Sequence, residues 1–270
     1  MFRTRLMSGI VLVAIALAVL ISGGPVLAVT LLLISEIGLF ELYRALKLTD
    51  EKVFGSSLTL AGYLGTAVYY GIVFCGFWAY TMGGVLAVLI AMMTVYVFTY
   101  PRYRTEEVAE AFFGVVYVAV MLSFIYELRC MEQGKYLVWL IFLGSWGCDT
   151  CAYCVGKLFG KHKMTPRLSP KKSVEGAVGG VVGAALLGAI YGFAISGAMG
   201  SREHIFPFVL ICAAASLISM IGDLAASAIK RNHDIKDYGK LIPGHGGILD
   251  RFDSVIFIAP VIYYLAQVLV

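Results

Sequence analysis

Charge is scarce in this chain. Asp, Glu, Lys and Arg make up 14% of its 270 residues, against 60% hydrophobic residues. So little polar surface could not cover a soluble globule of this size, which excludes an ordinary water-soluble domain. Cysteine is also sparse: the six are scattered and imply no disulfide framework. Cys148, Cys151 and Cys154 have a three-residue spacing that could suit a cluster. They lack the fourth neighbouring cysteine and the proline that would complete one, so small helical packing residues are the better reading. No internal repeat is evident. The 21 Lys and Arg are distributed among membrane loops rather than along one soluble face, so there is no nucleic-acid footprint and no nucleic-acid partner is expected.

What is present is a series of apolar runs, each near the ~20 residues that span a bilayer. They fall at about 6–22, 25–43, 57–76, 80–99, 109–127, 136–154, 175–197, 205–229 and 252–269. The fold class is therefore all-α, a polytopic integral membrane protein of about nine transmembrane helices. Arg3 and Arg5 precede the first run, and Val26-Leu27-Ala28 resembles a signal-peptidase site, but apolar sequence continues straight through it. An uncleaved first helix is expected. With the N-terminus in the cytoplasm, 18 of the 21 Lys and Arg lie inside and only Arg129, Lys135 and Arg202 outside. That bias sets the orientation by the positive-inside rule and puts the long charged loops in the cytoplasm.

Two regions differ in character. Residues 1–127 are N-terminal transmembrane helices with little obvious chemistry, save for Glu36 and Glu41 in an otherwise apolar run. An intramembrane carboxylate needs a partner or a proton. Residues 128–270 form the region expected to be catalytic. Its densest stretch runs from Ser227 to Asp253 and holds Lys230, Arg231, Lys236 and Lys240, a Pro-Gly-His-Gly-Gly turn, and Asp250-Arg251-Phe252-Asp253. Asp223, Ser227, Lys230 and Arg231 fall at i, i+4, i+7 and i+8, one face of a helix on which Asp223 lies roughly 12 Å deeper than Arg231. Asp250 and Asp253 share a face near the start of the next helix, where the dipole favours anions. Three carboxylates on two helices could converge, and such oxygen-only ligands suit Mg²⁺. The glycines between them would let backbone N–H groups approach an anion closely.

This stretch resembles the signature of the CDP-diacylglycerol synthases, or phosphatidate cytidylyltransferases. Every fixed position of that pattern is met, by Ser227, Lys230, Arg231, Lys236, Asp237, Gly239, Pro243, His245, Gly246, Gly247, Asp250, Arg251 and Asp253. A second matching motif comprises Asp149, Ala152-Tyr153, Gly156, Gly160, Ser169-Pro170-Lys171-Lys172-Ser173 and Glu175-Gly176. It departs from the family in Ser173 for the usual Thr, Val174 for the frequent Trp, and Cys151 and Cys154 where other residues are common. A purely structural account would make Ser173 a helix cap and the lysines membrane anchors.

The resemblance implies the reaction of CTP with phosphatidate in the membrane to give CDP-diacylglycerol and pyrophosphate. Asp223, Asp250 and Asp253 would hold Mg²⁺, alone or with a second cation. Lys230, Arg231 and His245 would act with them, His245 in positioning or proton transfer. Lys171, Lys172, Ser173, Asp149, Ser227, Lys236, Asp237, Gly246, Gly247 and Arg251 would bind substrate. It also implies a bacterial cell (inner) membrane location with the site facing the cytoplasm. Small residues on the helices permit a homodimer without demonstrating one. A CTP-using relative acting on another lipid, such as a CDP-archaeol synthase or a polyprenol kinase, is the nearest alternative. A transporter is disfavoured because the charged groups cluster at one face. A CDP-alcohol phosphotransferase is disfavoured because its Asp-Gly-x-x-Ala-Arg opening is absent.

Overall fold

The computed structural model describes residues 2–49, 55–166, 168–200, 202–242, 244 and 246–270. It is helical as expected: α1 (Phe2–Ser22), α2 (Gly24–Ala45), α3 (Ser57–Phe74), α4 (Trp78–Phe98), α5 (Thr105–Cys130), α6 (Gly134–Phe159), α7 (Val174–Met199), α8 (Ile205–Asn232) and α9 (Leu249–Leu269). Eight of these are long and apolar enough to cross a membrane, while the described apolar stretch of α1, Gly9–Ser22, is shorter. Helices dominate because a bilayer offers no water to bond a free peptide group, so each segment must satisfy its own backbone. A short antiparallel hairpin, β1 (Lys163–Thr165) with β2 (Ser169–Ser173), joins α6 to α7, pairing Lys163 with Ser173 and Thr165 with Ser169.

Helix ends follow local chemistry. Ser56 caps α3 by accepting from the Thr59 N–H at 3.1 Å, and Ser173 caps α7 by accepting from the Gly176 N–H at 3.1 Å. Gly200, at φ 72°, takes the left-handed conformation that ends α7. Both α5 and α6 pass through a π-helical turn, at Val115–Val120 and Leu143–Gly147.

The chain divides into two compact units. The first runs to Tyr126 and also contains His233–Arg251; the second contains Glu127–Asn232 and Phe252–Val270. In the first, Leu39, Leu42, Tyr43, Leu58, Met92 and Val118 form a fully buried core. Buried polar side chains there find partners inside the protein: Ser35 Oγ meets Tyr70 OH at 2.8 Å, and Tyr43 OH donates to the Ala111 carbonyl at 2.8 Å. In the second, α7 is apolar all round. Gly176, Gly180, Ala184, Gly188 and Gly192 are buried, whereas Val178, Val182, Leu186, Ile190 and Phe193 are exposed. The small face lets α6 and α8 approach to backbone contact, and the large face suits lipid.

Candidate active site

The π turn at Leu143–Gly147 adds a residue to the helical repeat of α6 and re-phases the side chains after it. Asp149 follows two residues after it, exposed on α6. It opens on a cavity of about 310 Å³ within the second unit, walled by Tyr153, Gly156 and Lys157 of α6, Met164 of β1, Lys171 and Lys172 of β2, Ser173, Gly176 and Ala177 at the start of α7, and Met220 of α8. The cap at Ser173 fixes where β2 turns into α7, and so where Lys171 and Lys172 stand. A methyl at Gly156 would lie 3.0 Å from Ser173 Oγ, closer than ordinary contact. Glu175 secures the other side, accepting from the backbone N–H of Lys161 at 3.0 Å and lying 2.6 Å from His162 Nδ1.

Lys172 of the second motif meets Asp223, which lies four residues before the signature. Its ammonium forms an ion pair with Asp223 of α8, with side-chain exposures of 24% and 30%. Lys172 Nζ is itself buried and finds no hydrogen-bond acceptor of good geometry among the described residues. An ammonium carries three donors, so pairing with one carboxylate does not exhaust it. Asp253, on α9, is half-buried; its Oδ1 accepts from the Ser254 N–H at 2.8 Å. Asp223, Lys230 and Asp149 stand close enough to act on it electrostatically. The second unit thus gathers Asp149, Asp223 and Asp253 with Lys172 and Lys230. Ser227 is half-buried on the same helix as Lys230, and Arg231 is exposed one residue on.

The signature loop belongs to the first unit. Asp250 is 6% exposed, and its Oδ2 accepts from the backbone N–H of Tyr238 at 2.8 Å and of Gly247 at 3.0 Å. It closes the loop on itself. The Tyr238 side chain is 2% exposed, and its carbonyl accepts from Arg44 Nη2 of α2 at 2.6 Å. Gly246, at φ 88°, bonds back to the Ile242 N–H through its carbonyl at 2.9 Å. Lys236, Asp237 and Arg251 are exposed. His245, with Pro243, lies outside the described residues.

The anion at the start of α9 is not left to a ligand. Glu41 of α2 supplies it, accepting from Ile248 N–H at 3.1 Å through Oε1 and from Leu249 N–H at 2.8 Å through Oε2. Sequence reasoning singled out Glu41 as an anomalous carboxylate but assigned it no role. Arg44, Lys157 and His162 were missed, since nothing in their spacing sets them apart, and Glu175 was noted as part of the second motif without its partner. Among the described residues, no group of three or more His, Cys, Asp or Glu side chains is placed to hold a metal ion.

Residues 3–269 match the cytidylyltransferase family. The chain is 30% identical over 271 residues to the phosphatidate cytidylyltransferase of Bacillus subtilis strain 168, covering 97% of each. It is 30% identical over 268 residues to that of Staphylococcus epidermidis, and 29% over 265 residues to that of Staphylococcus aureus strain COL, covering 97% of this chain and 98% of theirs in both cases. A match running from the first helix to the last takes in both motifs and the helices that carry them. The chain belongs to the cytidylyltransferase family.

Proposed function

We propose that this chain is a phosphatidate cytidylyltransferase, converting CTP and phosphatidate to CDP-diacylglycerol and pyrophosphate. The observation that carries this reading is the Lys172–Asp223 pair beside the 310 Å³ cavity. It brings Lys172 of the second motif against Asp223, four residues before the signature, at the ends of membrane helices where a lipid phosphate and a soluble nucleotide can both arrive. In the reaction, a phosphate oxygen of phosphatidate forms a bond to the α-phosphorus of CTP. The bond from that phosphorus to the β-phosphate bridging oxygen breaks, and its electron pair leaves with pyrophosphate. No covalent enzyme intermediate is needed. Lys172, with Lys171 and Lys157 around the cavity, would hold the anionic oxygens and neutralise charge gathering on the leaving group.

The donor set fits Mg²⁺, which takes one or two carboxylates and completes its shell with water and substrate phosphates. Asp223 and Asp253 are the neighbours that would hold it, with Asp149 nearby, while Asp250 spends one oxygen on the loop backbone. When bound, the ion would polarise phosphoryl oxygens and neutralise their charge. A cytoplasmic site in the bacterial inner membrane is part of the same reading, supported by the distribution of Lys and Arg.

Labelled CTP tests the assignment. With purified protein, Mg²⁺ and phosphatidate, α-label is expected in the lipid fraction and γ-label in released pyrophosphate, and chelation should stop both. A lipid kinase would reverse the pattern. Transfer of γ-label into lipid, or of neither label to any phosphatidate, would sink the proposal.

A further inference from the structure

Glu41 is 3% exposed near the end of an apolar helix, yet both its oxygens accept from backbone N–H groups far along the chain. Those donors, on Ile248 and Leu249, are among the ones that the start of α9 leaves unsatisfied. Three residues on in α2, Arg44 holds the Tyr238 carbonyl. The same Tyr238 is held through its N–H by Asp250. The loop is thus gripped at both ends by α2, and Asp250 ties Tyr238 to Gly247.

Two signature glycines follow from this grip. A methyl at Gly239 or at Gly247 would collide with the Glu41 carboxylate. Neither glycine has a positive φ. Space, not backbone conformation, therefore requires glycine at these positions, because the carboxylate threads between them.

We infer that Glu41 is a positioning residue for the signature loop that the reaction uses. It fixes the Tyr238–Leu249 loop and the first turn of α9, the helix that carries Asp250, Arg251 and Asp253. What is positioned rests on the cytidylyltransferase reading; the grip itself does not. Gln at this site could accept through one atom only, and its amide would turn a donor toward a backbone N–H.

The test uses the purified full chain in lipid nanodiscs. Glu41→Gln should lower kcat about tenfold to a hundredfold while KM for CTP and for phosphatidate moves less than about threefold, since displaced rather than missing groups lose rate before affinity. Trypsin should cut after Lys236 or Lys240 several-fold faster, with the thermal midpoint of the whole chain little changed. A second variant removes dependence on that one. Gly247→Ala should lower the midpoint and the rate in the parent, yet add little in a Glu41→Ala background, where the obstructing carboxylate is gone. Parent-like kcat and cleavage in Glu41→Gln would overturn the inference. So would a Gly247→Ala effect equally large in both backgrounds. If the parent itself forms no CDP-diacylglycerol, the reaction reading fails, while cleavage and thermal midpoints still decide the grip.

Discussion

Lys172 and Asp223 need each other for different reasons. The ammonium is buried, so it requires a counter-charge, whereas the carboxylate on an apolar helix requires a cation within the same low-dielectric surroundings. Removing one partner should therefore cost more stability than removing both. Lys172→Met alone is expected to destabilise by on the order of 1–3 kcal/mol, less than a fully buried pair because each side chain keeps part of its surface. Adding Asp223→Asn should restore much of the thermal midpoint. Activity should not return: the single and double variants should all lie at least about a hundredfold below the parent, because residues acting as one unit are lost together. Recovery of lipid labelling in the double variant would show that the pair only holds the helices.

Between elements, α7 sets how closely the second unit closes. A methyl at Gly188 would come within 2.7 Å of the Phe208 carbonyl, a backbone atom that cannot turn aside. At Gly197, on the same helix, a methyl would meet nothing within 4 Å. Gly188→Ala should destabilise by about 1–3 kcal/mol, and Gly197→Ala should be neutral or stabilising by up to about 1 kcal/mol through helix propensity. Thermal midpoints of the two variants in one detergent check this contrast. The apolar runs and the signature carboxylates were legible in the sequence, because charge stands out in an apolar chain. The β1–β2 hairpin and the π turn before Asp149 were not, since no residue pattern encodes an inserted helical residue. Nor was the role of Glu41. Its partners are two backbone N–H groups more than 200 residues away, and a backbone donor leaves no mark on a sequence. The pairing of Lys172 with Asp223 was hidden likewise, because each motif announces its own residues but not the register between them.

Orientation in the membrane is a property of the whole molecule, and the chain carries its own reporters. Placing the cations inside puts the connection after α3 and the end of α5 on the outer side, and the β1–β2 hairpin in the cytoplasm. Cys75 and Cys130 lie at those outer positions, and both are exposed. A membrane-impermeant maleimide applied to intact cells should therefore label Cys75 and Cys130. In a variant lacking native cysteines, a cysteine placed at Lys163, which is exposed in the hairpin, should react only after the membrane is opened. Lys135 and Arg202, two of the three cations assigned outside, supply further positions of the first kind. Because the segments alternate, one correctly placed loop fixes all the others unless a helix fails to cross. Labelling at 163 in sealed cells, with Cys75 and Cys130 protected, would invert the topology and put the Lys172–Asp223 site on the side without CTP. Labelling of Cys75 together with position 163 would instead mean that an intervening segment does not span, and α1, with its shorter apolar stretch, could not be responsible because it precedes both.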